Sequence, residues 1–282
     1  TKGNMPTDAG NLILNDDERN SLLLEYPEAK RFIRRYSGSR EFIQSMYRWC
    51  LWIEDADLEI AISIPPIKIR IDNVRKFRTE SPGLQAKSHI ESAHRFIHAP
   101  HQETENIIVP RHFSERREYL TVGFSNGDSE VIGDSASVIY SAEPYLFAIL
   151  SSKLHYFWIA TVCGRIKSDI RYSNTLGYNT FPLPALSQNQ KEELSNHTWE
   201  IISARETFAG KTIAWLYNPE TMPEVLSKAH RALDESLERI CIGRIFKSDI
   251  ERLEYLFKQY TAMLRNGSSG MTPELRFKGG RK

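Results

Sequence analysis

PYLFAILSSKLHYFWIATVCGRIKSDIRYS, residues 144–173, passes from an apolar stretch into one of alternating charge. Pro144 to Val162 reads as one long apolar helix, and beyond Cys163 the polar residues recur with the two-residue period of a strand. On such a strand Arg165, Lys167, Asp169 and Arg171 share a face, as a row of donors with one acceptor. Upstream, IIVP, REYLTVGF, SEVIG and SVIY are short β-branched and aromatic runs divided by turn residues such as Asn126-Gly127-Asp128. Strands, then helix, then strand predict an α+β domain with a mixed or antiparallel sheet and flanking helices.

Such a row can read base edges. Lys and Arg match the O6 and N7 acceptors of guanine, and Asp accepts from the N4 donor of cytosine, so Lys167 and Asp169 could together read one G·C pair. The same alternation also suits a solvated strand, and the residues alone leave both readings open.

The 282 residues suffice for two packed domains, and 40% hydrophobic with 26% charged residues is an ordinary globular composition. A net charge of +1 names no partner, yet residues 150–185 carry Lys153, Arg165, Lys167 and Arg171 against Asp169 alone. Three distant cysteines, Cys50, Cys163 and Cys241, suggest neither a disulfide framework nor a metal knuckle. With no apolar run near the roughly 20 residues that span a bilayer, and a polar start unlike a signal peptide, a cytoplasmic protein without membrane contact is expected.

Elsewhere, Asp16 or Asp17 is expected to cap a helix carrying Leu22 to Leu24, and PEAKRFIRRY to form a second helix from Pro27. YRWCLWI, residues 47–53, reads as a buried strand. From Pro65 a helix is predicted with Ile67, Ile71, Val74 and Phe77 on one side and Arg70, Arg75, Lys76 and Arg78 on the others. FPLPALSQNQ marks a boundary, with Ser187 as the next cap. Helices follow at about 188–208, 222–241 and 248–264, with Leu226, Ala229, Leu233 and Leu237 on one stripe, as in a small helical domain. Residues 267–282 have the composition of a flexible tail.

No catalytic constellation emerges. Ile64-Pro65-Pro66-Ile67 lacks the amide and aromatic ring with which an adenine-N6 methyltransferase holds its flipped base, and reads as a helix start. Glu28-Ala29-Lys30 has no accompanying acidic ligands and fits a helix N-terminus. His89, His94, His98, His101 and His112 invite a zinc reading, with His94 and His98 at i, i+4, but no cysteine or HExxH pattern joins them. No GxSxG elbow supports a triad.

The chain resembles the C-terminal portion of the MmeI-like (type IIL) single-chain restriction-modification enzymes. GNMPTDAGNLIL, AKRFIRRYSGSREFI with YRWCLWI, CGRIKSDIRYSNTLGYNTFPLP, and LYNPETMPEVLSKAHRALDESLER with ERLEYLFKQY carry the resemblance over nearly all of residues 3–264. It implies a DNA target recognition domain over 1–185 and a C-terminal helical domain over 186–266. It also implies double-stranded DNA as partner, with base reading by Lys167 and Asp169 as a pair and by Arg171 with Ser135. Arg165, Tyr172, Ser173, Asn174, Arg34, Arg35 and Arg78 are expected to hold the DNA backbone or support the readers. No cofactor or metal is expected in these residues. S-adenosylmethionine and Mg2+ are implied for the full-length enzyme, whose adenine-N6 methyltransferase domain and fused endonuclease would do the chemistry. The rival expectations are a protein-interaction scaffold without DNA specificity and a hydrolase built on the His-rich segment.

Overall fold

The computed structural model describes residues 1–265, so the expected tail at 267–282 lies outside the described residues. The chain forms two compact units, one from residues 2–105 and 125–138, the other from residue 1, 106–124 and 139 onward.

The first unit is built on a four-stranded sheet. Trp49–Leu51, from the YRWCLWI stretch, pairs antiparallel with Ile13–Leu14 on one side and Ile33–Ser37 on the other. Glu130–Ile132 adds parallel to the outer edge of Ile33–Ser37. Cys50 and Leu51 are fully buried, as a central strand requires. PEAKRFIRRY is not one helix: a 3-10 turn over Pro27–Phe32 gives way to the Ile33–Ser37 strand. Pairing decided against local propensity, because Ile33 registers with Leu51 and the Phe32 carbonyl accepts from Trp52 N–H at 2.7 Å. The helix over Asp16–Glu25 is capped by Asn15, not by either aspartate, in a reciprocal box with Glu18.

The predicted helix from Pro65 runs over Pro65–Glu80, with Ile67, Ile71 and Val74 in the core. Arg78, placed outside by the sequence reading, is completely buried. Its five guanidinium protons all meet carbonyl oxygens: Nε that of Thr7 (3.1 Å), Nη1 those of His89 and Ser92 (2.9 Å each), Nη2 those of Pro6 (2.9 Å) and Arg95 (2.7 Å). Arg78 thereby joins the N-terminal strip, the helix and the 89–95 loop. Burial draws its pKa down, opposed by the charge of Asp8.

In the second unit the apolar stretch breaks into two helices, Pro144–Leu150 and Lys153–Val162. The break has a local cause. Ser152 takes an extended conformation, accepts the His155 N–H on its hydroxyl at 3.2 Å and donates to the Ile149 carbonyl at 2.7 Å. Of REYLTVGF only the end is strand, within Gly123–Asn126, while Glu105–Pro110 and Ala136–Ile139 form strands from the IIVP and SVIY runs. Tyr119 stacks instead on His230, ring centroids 4.1 Å apart.

The C-terminal helices form as expected over Gln188–Glu206, Glu224–Ile242 and Asp249–Arg265, the first with a Ser187 and Gln190 capping box. The FPLP stretch does not separate two cores: Phe181 is buried in the core that also holds Leu194, Ile201, Leu233 and Leu237. Thr198 Oγ1 donates to the Pro144 carbonyl at 2.7 Å, and Trp158 meets Phe257 and Tyr260 at centroid distances of 5.5 and 5.2 Å. Each buried aliphatic side chain in this shared core contributes about 1.5–3 kcal/mol.

Asp234 is buried in the same core, and burial pushes its carboxyl from the ordinary 3.8 up to about 7. A carboxyl raised on folding contributes stability that is complete below its unfolded pKa and lost as pH climbs through the folded one. Asp234→Asn should remove that contribution, so urea midpoints of the variant are expected to fall less than those of wild type between pH 5 and 8. Parallel midpoint curves would refute the assignment.

Candidate nucleic-acid interface

The CGRIKSDIRYS segment is a hairpin, not the single strand expected. Arg165–Ile166 and Asp169–Arg171 pair antiparallel, with Asp169 opposite Ile166 and Ile170 opposite Arg165, so Lys167 and Ser168 form a two-residue turn. Lys167 has φ +56°, the left-handed region that two-residue hairpin turns need at their first position and usually fill with glycine. The sequence had no Gly or Asn there to announce a turn. On its far side Asp169–Arg171 pairs with His112–Phe113, with Ile170 opposite Phe113 and Arg171 opposite His112.

This register sorts the side chains. Directly opposed residues of antiparallel strands point to one face. Ile170 and Phe113 face inward, 0% and 2% exposed, while Asp169, Arg171, His112 and Ile166 share the outer face. Arg165 belongs to the other face from Asp169 and Arg171, where it is tied to Glu115 at 2.9 Å and donates to the Ser168 carbonyl at 2.9 Å. The expected four-residue row is therefore reduced to Asp169 and Arg171, with Lys167 at the tip. Among the described residues none of these three side chains makes a hydrogen bond or ion pair. His112, one of the five histidines of the zinc reading, joins the outer face beside Arg171. Desolvation and the charges of Arg111 and Arg171 lower its pKa, opposed by Asp169, which favours the neutral ring.

The supporting residues divide. Tyr172 is not at the surface: it is 2% exposed, its hydroxyl 3.2 Å from His155 Nε2, and it anchors the strand to the Lys153–Val162 helix. Ser173 caps a π-helical turn over Asn174–Tyr178, accepting from the Leu176 N–H at 3.2 Å. Gly177 lets that turn lie against the helix, since a Cβ there would stand 3.0 Å from both Cys163 Sγ and Ile159 Cγ2. Asn174 opens the turn, half-buried, with its Oδ1 unpaired.

In the first unit, Arg34 pairs with Glu103 at 2.6 Å and lies 3.0 Å from His101 Nε2. Arg35 pairs with Glu130 at 3.2 Å and lies over the Tyr47 ring. Neither is a free cation, and the caged Arg78 cannot reach a phosphate. Ser135 is exposed, and its hydroxyl oxygen accepts the Ser39 N–H at 3.0 Å at the start of the Ser39–Gln44 helix, leaving its own proton available.

The histidines do not converge. His94 bonds Asp55 Oδ1 at 2.7 Å, His98 sits on a backbone bridge with Met5, and His101 faces Arg34. Among the described residues no group of three His, Cys, Asp or Glu side chains could hold a metal, and no helix is long and apolar enough to cross a membrane.

Known proteins are similar to this chain in sequence and architecture. The chain is 39% identical over 261 residues to DNA methyltransferase A of Bacillus subtilis (strain 168), a match covering 93% of this chain and 30% of that protein. Its structure is similar, with TM-score 0.89 and 32% sequence identity, to the type IIL restriction-modification enzyme MmeI in complex with DNA, over 94% of this chain and 35% of the other. The chain thus spans about a third of the length of each relative. Family models described as "MmeI, target recognition domain" and "MmeI, C-terminal domain" match residues 1–185 and 186–266, and the chain accordingly belongs to the MmeI family of restriction-modification enzymes, of which it carries these two domains.

Proposed function

We propose that this chain reads the base sequence of duplex DNA for an adenine-N6 methyltransferase of the same parent protein, with a fused endonuclease. S-adenosylmethionine and Mg2+ would bind in those catalytic portions. The reading rests chiefly on the exposed hairpin, which presents Lys167 at its tip with Asp169 and Arg171 on one face, none of them in a hydrogen bond or ion pair.

Lys167 donates to guanine and Asp169 accepts from the paired cytosine, while Arg171 reads a neighbouring pair and Ser135, in the other unit, is a further base reader. A carboxylate with no hydrogen bond of its own suits this role. It repels phosphates, and it gains only where a base presents a donor. His112, beside Arg171 on the same face, offers one donor and one acceptor to the same groove. Arg165 steadies the turn from behind through the Ser168 carbonyl, and Ser173 and Asn174 fix where the strand ends.

Base readers and phosphate holders differ in their signatures. Asp169→Ala, in the chain joined to its methyltransferase, is expected to relax recognition at one base pair by about 1–3 kcal/mol and leave the salt dependence of binding unchanged. Sequencing of methylated sites, with binding isotherms at several salt concentrations, checks both. A uniform loss across all sequences would overturn the assignment. A protein-docking scaffold would in addition lack the steep decline of duplex affinity with salt that phosphate contacts impose.

A further inference from the structure

The C-terminal helix Glu224–Ile242 carries a buried polar group unexplained by packing alone. Asp234 lies on the stripe of Leu226, Leu233 and Leu237, 8% exposed, and divides its two oxygens between distant segments. Oδ1 accepts the backbone N–H of Lys153 at 2.8 Å, and Oδ2 accepts the Tyr119 hydroxyl at 2.9 Å. Lys153 opens the helix that ends at Val162, three residues before the hairpin begins at Arg165. Tyr119 lies in the loop that leaves the His112–Phe113 strand and runs to Gly123. One carboxylate therefore holds the chain leading into the reading hairpin and the chain leaving its neighbouring strand.

The surroundings brace this group. Tyr119 stacks on His230, whose Nε2 is 2.7 Å from the Tyr217 hydroxyl, and Arg205 Nε donates to that hydroxyl at 2.9 Å. Between helix and hairpin, the His155 to Tyr172 contact ties the helix to the residue adjoining Arg171. Ser152 satisfies only the His155 N–H at the start of Lys153–Val162, and Asp234 takes the Lys153 N–H; what helix capping does not require is its second bond, to Tyr119 in the chain that leaves the neighbouring strand. Base readers, by contrast, must be held to within about 0.5 Å by the groups behind them.

We infer that Asp234 is a positioning residue through which the C-terminal domain sets the base-reading hairpin, an assignment that rests on the function proposed above. The test uses the chain joined to its methyltransferase and two sets of duplex oligonucleotides. One carries the motif that sequencing of methylated sites gives for the wild type, with its single-pair variants; the other is of random sequence. Tyr119→Phe and Asp234→Ala are expected to lower discrimination at the hairpin-read pairs about tenfold while affinity for random duplex stays at the wild-type level. Asp234→Asn is expected to retain discrimination, since its carbonyl still accepts from Lys153 and its amide can donate to Tyr119.

Where Asp234→Ala does not fold, Tyr119→Phe decides. Wild-type discrimination in folded Tyr119→Phe, or equal loss on both kinds of duplex, overturns the positioning role. Asp169→Ala run alongside separates the two claims. If it is impaired while Tyr119→Phe is not, only the positioning role fails; if Asp169→Ala itself discriminates normally, the base-reading assignment fails and takes the positioning role with it.

Discussion

Arg78→Ala is expected to destabilise the unit of residues 2–105 and 125–138 by about 3–5 kcal/mol, the scale set by removing a buried charged donor whose hydrogen bonds are all made. Five carbonyl oxygens lose their donors at once, and the vacated volume is too polar to collapse into an apolar core. Three segments held together by one side chain, the strip at 6–7, the Pro65–Glu80 helix and the loop at 89–95, lose their common tie. At a urea slope of about 2 kcal/mol/M the midpoint should drop by about 2 M. Trp49 and Trp52, both in this unit, report it by fluorescence. Arg78→Lys should fall between, because an ammonium has three donors for five acceptors. A midpoint unchanged by Arg78→Ala, with weakened DNA binding in its place, would mean that Arg78 contacts phosphate after all.

Arg78 also shows where sequence reading stops. Its helix, its burial stripe and its neighbours Ile67, Ile71 and Val74 follow from helical periodicity, yet a charged residue defaults to the surface even where, four positions after Val74, it falls on that stripe. The cage that overrides this default is made of main-chain carbonyls, which have no sequence signature. The same holds for Asp234 and His230, inward on a helix whose apolar stripe is plain. Residues 33–37 were lost to tertiary pairing, since local propensity favours helix where Leu51 and Trp52 impose a strand.

At the site, the composition of residues 165–171 marks the segment, but its shape was hidden. A two-residue turn at Lys167-Ser168 breaks the alternation, moves Arg165 to the other face and leaves Asp169 and Arg171 together. His112 came to them through a strand pairing more than fifty positions away in sequence, beyond the reach of local spacing.

The double exchange Lys167→Glu with Asp169→Arg bears most directly on the function. Donor and acceptor change places, so the pair that favoured G·C should favour C·G. The backbone should tolerate it. Glu at the turn tip is no more strained than Lys in the left-handed region, and Asp169 is already an exposed strand residue with no hydrogen bond to lose, its charge acting on Arg117 and His112 without a direct bond. A wrong base pair costs about 1–3 kcal/mol, which is about 5- to 150-fold in affinity, enough to invert the preference at one position while phosphate contacts maintain overall binding. The decisive measurement is sequencing of methylated sites in cells expressing the exchanged chain joined to its methyltransferase. The expected motif differs from the wild-type motif at one position, G·C becoming C·G, with every other position kept; an unchanged motif would contradict base reading by Lys167 and Asp169.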